Sequence, residues 1–318
     1  MPRVSLDLPA IEVTDLRKRY GRIEALAGLS MTVGRGEVFG FLGPNGAGKT
    51  TTVKLLLGLA RPTAGGGKVL GAPLGDLQTR RRIGYLPELF RYQPWMKARE
   101  VLQLHGELMG LPRGRRRQAA QDALATVGLA ERGEDQVGKF SKGMQQRLGL
   151  GVALLGEPAL VILDEPTSAL DPIGRIDVRA IVRNAAARGA AVFLNSHLLS
   201  EVEQVCDRVA IVDHGRVVAS GELDDVLGQA ETSIRVTGLS ASDLPAIEIF
   251  GPPTLEHDRL SIRPMEPDRV PELVATLVRM GAQVHEVRSG RGSLEQRFLE
   301  LVARDRPPAG APSAERLR

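Results

Sequence analysis

The chain has 318 residues, 42% of them apolar and 25% charged, enough to bury a large core in one or two domains. Aromatic residues make up only 3%, which argues against a base-stacking platform for single-stranded nucleic acid, and the net charge of +4 is too small to require a nucleic-acid partner. No apolar run nears the ~20 residues that cross a bilayer, and a single cysteine, Cys206, excludes a disulfide framework or a cysteine metal cluster.

Residues 1–13 carry no long apolar stretch, so an export signal is not expected. Short apolar stretches at 11–13, 29–33 and 38–42 read as strands, with turns at Gly21, Gly28 and residues 34–36. Residues 43–50 read GPNGAGKT, which meets the phosphate-loop pattern GxxxxGK[ST] in full. Glycines at 43, 46 and 48 let the backbone wrap an anion, and a helix over 49–59 adds its positive end. Leu55, Leu56 and Leu59 form the apolar side of that helix. Lys49 can reach the β- and γ-phosphates, and the Thr50 hydroxyl can ligate Mg2+.

Residues 88–155 are mostly helical, with apolar periodicity at Val101, Leu102, Leu104 and Leu108, then at Leu124 and Val127. Two basic clusters, residues 80–82 and Arg113, Arg115, Arg116 and Arg117, read as solvated loops. Their sharper reading is a face turned to anionic lipid or a membrane partner. Residues 160–165 read LVILDE, an apolar strand ending in two acids. Asp164 can hold the Mg2+ shell, and Glu165 can orient and deprotonate an attacking water. Together with the phosphate loop, this pair predicts an ATPase or GTPase.

A helix over 172–187, a strand over 190–195, a helix over 199–206 and a hairpin of 209–213 with 216–220 complete a mostly parallel sheet. Cys206 reads as a buried small residue of the second of these helices. His197 follows a strand, where it can meet a γ-phosphate. A boundary is expected near 225–232, after which strands over 233–237, 260–263 and 283–287 alternate with two helices. Pro271 opens the first helix and Gly281 stops it; Ser293 caps the second, which carries Leu294, Phe298 and Val302 on one side. The expected domains are therefore 1–225, 226–305 and a disordered tail over 306–318.

Between the helical region and the acidic strand lies FSKGMQQR, residues 140–147. This segment resembles the Ser-Gly-Gly-Gln signature of the nucleotide-binding subunits of ABC transporters, with Lys142 and Met144 in the variant found in exporter-type members. Ser141 and Gly143 remain, at the start of a helix whose exposed end is an anion site. The resemblance is strong over 11–220 and weaker over 221–305. It implies an α/β fold, a P-loop NTPase of ABC type with an inserted helical subdomain (about 88–155) and a small C-terminal α+β appendage.

The resemblance also assigns roles. Glu165, His197, Lys49 and Asp164 would be catalytic, and Thr50, Asp164 and Glu88 would surround Mg2+. ATP would lie against Tyr20, Gly43, Asn45, Gly46, Ala47, Gly48, Lys49, Thr50, Thr51 and Glu88. Glu88 departs from the glutamine that many members carry there. Ser141, Gly143 and Asp171 would act across the interface with a second copy, or a similar ABC subunit, bound head to tail. The implied function is an ATP-hydrolysing energy-coupling subunit of an exporter, peripheral to the cytoplasmic face of the membrane and docked on a separate transmembrane permease. No nucleic-acid partner is expected. The alternative is a soluble ABC-type ATPase of translation or cofactor assembly.

Overall fold

Three apolar pentapeptides, Val38–Leu42, Leu160–Asp164 and Ala191–Asn195, have no exposed position. Strands buried on both faces read as continuous apolar runs, the pattern of a parallel sheet covered on both sides. A computed structural model describes residues 8–228, 231–290 and 292–303, in two compact units, Met1–Leu223 and Asp224–Arg318. The segment 306–318, expected to be disordered, lies outside the described residues.

The first unit runs β1 (Ile11–Tyr20), β2 (Ile23–Val33), β3 (Val38–Leu42), α1 (Lys49–Leu56), β4 (Ala64–Val69), β5 (Ala72–Pro73), α2 (Leu77–Arg80) and β6 (Ile83–Leu86). Three helices follow: α3 (Ala98–Leu108), α4 (Arg113–Thr126) and α5 (Lys142–Leu154). The sheet then resumes with β7 (Leu160–Asp164), α6 (Pro172–Ala187), β8 (Ala191–Asn195), α7 (Leu199–Val205), β9 (Arg208–Asp213) and β10 (Arg216–Glu222), and α8 (Leu223–Leu227) comes next.

One sheet has the order β10-β9-β3-β8-β7-β6, parallel except for the β9–β10 hairpin. A second sheet, β2-β1-β4-β5, is antiparallel throughout and was not read from the sequence. Its strand β1 alternates, burying Ile11 and Val13 while exposing Glu12 and Thr14, until an irregularity at Asp15 shifts the register. Both sheets share one core, in which Phe193 of β8 stacks on Phe39 of β3 with ring centres 6.0 Å apart and tilts against Phe41 at 5.1 Å. Helix α5 presses onto the edge strand β6. A Cβ on Gly84 would sit 1.7 Å from the carbonyl oxygen of Ala153, so only glycine permits that approach.

Several expectations are corrected. Helix α1 ends at Leu56, and the left-handed Gly58 turns the chain outward, so Leu59 is 62% exposed instead of packed. On α3, Val101 and Leu102 are buried, but Leu104 and Leu108, the latter at the helix end, are 44% and 70% exposed. The basic residues 113–117 start α4 and do not form a loop; Arg116 donates to the Leu111 carbonyl and pairs with Glu107 at 2.8 Å. Arg80 ends α2 and donates to the Gly58 carbonyl. The cluster at 80–82 is therefore partly structural.

The second unit contains β11 (Glu231–Thr237), β12 (Pro253–Glu256), β13 (Arg259–Ile262), α9 (Val270–Arg279), β14 (Gln283–Gly290) and α10 (Leu294–Ala303). Its antiparallel sheet has the order β12-β13-β11-β14. Strand β12 and the 3-10 segment Ala241–Phe250 were not read from the sequence. Ser293 accepts from the Gln296 amide and so caps α10.

Phe193→Ala should remove the ring that both Phe39 and Phe41 touch and lower stability by about 3–5 kcal/mol. Urea denaturation checks this; a loss below 1 kcal/mol would mean that the core repacks around the gap.

Candidate active site

In an open α/β sheet, ligands collect beyond the carboxyl ends of the strands. Here β3 leads into residues 43–48, β7 ends at Asp164 and β8 ends at Asn195. The strand order β3-β8-β7 makes these three ends neighbours. Beyond them is a cavity of about 530 Å³ lined by Asn45, Gly46, Gly48, Lys49, Thr50, Thr51, Glu88, Asp164, Glu165 and His197. All ten were expected in the site.

The loop is shaped by close approach. Gly48 has φ 103, and a Cβ there would lie 2.6 Å from the Ala25 carbonyl oxygen. The chain can therefore pass beneath β2 and enter α1 with its first amides directed outward. Lys49 Nζ donates to the carbonyls of Gly43 (2.6 Å) and Pro44 (3.1 Å). Burial lowers the pKa of its ammonium, while Glu165, Asp164 and Glu88 hold it up. Gly43 and Ala47 shape the loop without lining the cavity.

Asp164 is buried and accepts from Asn195 Nδ2 at 2.5 Å. These two residues are direct partners in the parallel pairing of β7 and β8. Burial pushes the Asp164 carboxyl above the usual carboxylate range; the Asn195 hydrogen bond opposes this, and Glu88 and Glu165 add to it. Glu165 turns out of the strand with φ 54, an uncommon conformation for a side-chain-bearing residue. Its amide donates to the Asn195 carbonyl, and its Oε1 accepts from the His197 amide at 2.9 Å. Its Oε2 is 2.7 Å from His197 Nδ1. One oxygen of the buried carboxylate is thus held by the His197 amide, while the other lies beside the imidazole without a hydrogen bond among the described residues.

Besides Gly43 and Ala47, four expected residues do not line the cavity. Tyr20 is 46% exposed, with the Lys18 ammonium over its ring. Across the hairpin from it, Ile23, Glu24 and Ala25 form the cavity wall. Ser141 caps α5 by accepting from the Met144 amide at 3.2 Å, and Gly143 follows it. Asp171 caps α6 by accepting from the Gly174 amide at 2.7 Å. Two functional positions were missed. Asn195 ends the apolar run AVFLN, a visible signal, but its partner depends on which strand lies beside it. Gln146, buried on α5, donates to the carbonyls of Glu165 (3.3 Å) and Pro166 (3.0 Å). It ties the signature helix to the acidic strand end.

A phosphate loop at a helix start, a buried strand-end aspartate and a held glutamate are the parts of a nucleotide hydrolase. Residues 26–168 match the family model described as ABC transporter. An uncharacterised ABC transporter ATP-binding protein of Nostoc sp. is 40% identical over 304 residues, covering 92% of this chain and 90% of its own. The chain belongs to the ATP-binding proteins of ABC transporters. A daunorubicin resistance ATP-binding protein of Streptomyces coeruleorubidus is 37% identical, covering 93% of this chain and 97% of its own. A Nod factor export ATP-binding protein of Ralstonia nicotianae is 34% identical, with 93% and 95% covered. Among solved structures, an ATP-binding subunit of an ABC transporter superposes with a TM-score of 0.63 at 34% identity, over 68% of this chain and 91% of that one.

This ABC protein is an ATPase of the mixed α/β P-loop class. Lys49→Ala should weaken ATP binding at least 100-fold, about 2.8 kcal/mol, by calorimetry; retained binding would place the phosphates elsewhere. As an Mg2+ ligand Asp164 would work as the carboxylate, so activity should fall as pH drops through its pKa. Asn195→Ala removes a hydrogen bond that favours that form. The acid limb of the kcat/KM profile should therefore move to higher pH, and an unmoved limb would show that Asn195 does not hold Asp164.

Proposed function

We propose that this ABC ATPase is the energy-coupling subunit of an exporter, working as a head-to-tail dimer on a separate permease at the cytoplasmic face of the membrane. The observation that carries the dimer is the position of Ser141 and Gly143. They stand at the start of α5, a helix of 13 residues, and neither lines the cavity of its own chain. Ser141 is exposed, so this helix end is open to an anion held by a second copy. Asp171, at the start of α6, belongs to the same proposed interface.

The exporter reading rests on relatives named for daunorubicin resistance and Nod factor export. These names favour it over a soluble ATPase of translation or cofactor assembly. Among the described residues, no helix is long and apolar enough to cross a membrane, so the conduit is assigned to another chain. Leu104 and Leu108 offer an exposed apolar face on the helical insertion, where a permease helix would dock.

The donor set fits Mg2+. Thr50 and Asp164 offer hard oxygen ligands, and the buried Asn195 Oδ1 has no hydrogen-bond partner among the described residues, so it can accept from a metal-bound water. Bound there, the ion would neutralise charge on the phosphate oxygens. Lys49 and the first amides of α1 bind the β- and γ-phosphates. Glu165 accepts a proton from the water that attacks the γ-phosphorus, and the His197 amide keeps its carboxylate aimed. The bond to the β-phosphate oxygen breaks, leaving ADP and phosphate. Closure favoured by ATP and released by products is a population shift that the permease converts to work.

Glu165→Gln keeps the shape but loses the base. Turnover should fall at least ~100-fold, and ATP with Mg2+ should shift the protein to a dimer in size exclusion; normal turnover would remove Glu165 from the base role. Ser141→Arg should leave nucleotide binding to the monomer within about twofold and abolish hydrolysis. Unchanged hydrolysis would argue against a site completed by the second copy.

A further inference from the structure

The sheet of the C-terminal unit has two unlike faces. Ile234, Val236, Leu260 and Ile262 are buried and pack with Leu273 and Leu277 of α9. Alternation sends Ser233, Arg259 and Ser261 to the opposite face. An antiparallel sheet can simply turn a polar face to water, but this face forms part of a cavity wall. Together with α10 it lines a cavity of about 620 Å³, within the range of small-molecule sites. That cavity shares no residue with the ATP cavity.

Its charge is uneven. Four arginines, Arg259, Arg263, Arg288 and Arg297, line it against two glutamates, Glu231 and Glu300. Arg288 already pairs with Glu286 at 2.8 Å and Arg297 with Glu300 at 2.9 Å. Among the described residues, Arg259 and Arg263 make no ion pair with a carboxylate, and the Arg297 Nε is buried without a hydrogen-bond partner. Ser233 and Ser261 add hydroxyl donors to the floor, directly opposite each other in the β11–β13 pairing. Planar guanidinium forks match phosphate oxygens in pairs and are weakly hydrated, so they give up water readily to such a ligand.

We propose that this cavity is an effector site for a phosphate-bearing anion, either a free phosphorylated small molecule or a phospholipid headgroup. The guanidinium groups of Arg259 and Arg263 hold the phosphate, and the serine hydroxyls complete its coordination. A lone carboxylate would use only part of this donor set. The inference is independent of the exporter reading and of the dimer.

The test uses full-length protein carrying Lys49→Ala, which silences the phosphate loop, with inorganic pyrophosphate as the calorimetric probe. One site per chain is expected. Adding Arg259→Ser and Arg263→Ser should weaken it at least tenfold; both side chains are exposed, so the fold tolerates their loss. In the second arm, the same proteins are floated with vesicles of phosphatidylglycerol in phosphatidylcholine. Flotation that depends on the two arginines assigns the site to lipid, whereas pyrophosphate binding without it assigns the site to a soluble ligand. Binding of neither probe, or binding indifferent to the two substitutions, overturns the proposal. Should Lys49→Ala fail to fold, the arginine variant with Lys49 intact decides the matter. It should keep wild-type ATPase activity and lose one of two pyrophosphate sites; two remaining sites would overturn the proposal.

Discussion

Asp164 and Asn195 face each other because β7 and β8 pair in parallel and in register, and the ATP site depends on that pairing. The same pairing lets the Glu165 amide reach the Asn195 carbonyl, which stabilises the turn that points Glu165 out of the strand. Two residues later, the His197 amide closes on the glutamate carboxylate. A shift of one residue between these strands would send each side chain to the other face of the sheet. It would separate Asp164 from its donor and Glu165 from its clamp. Three fully buried strands with aromatic rings packed between them hold the register against such a shift.

The second structural link runs from the sheet to the helical insertion. Helix α5 carries Ser141 at one end and Gln146 one turn later. Gln146 holds the Glu165 and Pro166 carbonyls, and glycine at position 84 lets the far end of the helix lie directly on β6. The start of α5 and the chain at Glu165 are therefore joined by one buried side chain. Arg147, the next residue, pairs with Asp177 of α6 at 2.7 Å, so the helix that Asp171 caps is tied to the same unit. Packed, hydrogen-bonded groups therefore run from the start of α5 to the chain at Glu165.

The C-terminal unit follows a different logic. Its β-strands bury one face and leave the other polar, as the alternation in 231–237 and 259–262 indicates. Whether a polar face is merely wet or forms a receptor depends on what curves around it. Here α10 turns that face into one side of a cavity and brings Arg297 toward strands that are distant in sequence.

The parts of this protein legible in the sequence are those whose chemistry is contiguous. The phosphate loop occupies eight successive residues, Asp164 and Glu165 are adjacent, and Ser141 caps its own helix, so local backbone geometry is enough to place them. Long apolar or amphipathic runs likewise revealed β7 and β9 to within a residue and α6 with its observed limits. The antiparallel sheet was not legible, because β4 is largely glycine and β1 loses its alternation at Asp15. Tertiary structure alone decided that Asn195 holds Asp164, that Gln146 reaches Glu165, that Ile23, Glu24 and Ala25 line the wall beside Tyr20, and that four arginines share one cavity. The physical reason is the same in each case. A motif is set by bonds between neighbours along the chain, whereas these contacts depend on which strand lies beside which and in what register, and only the packed core determines that.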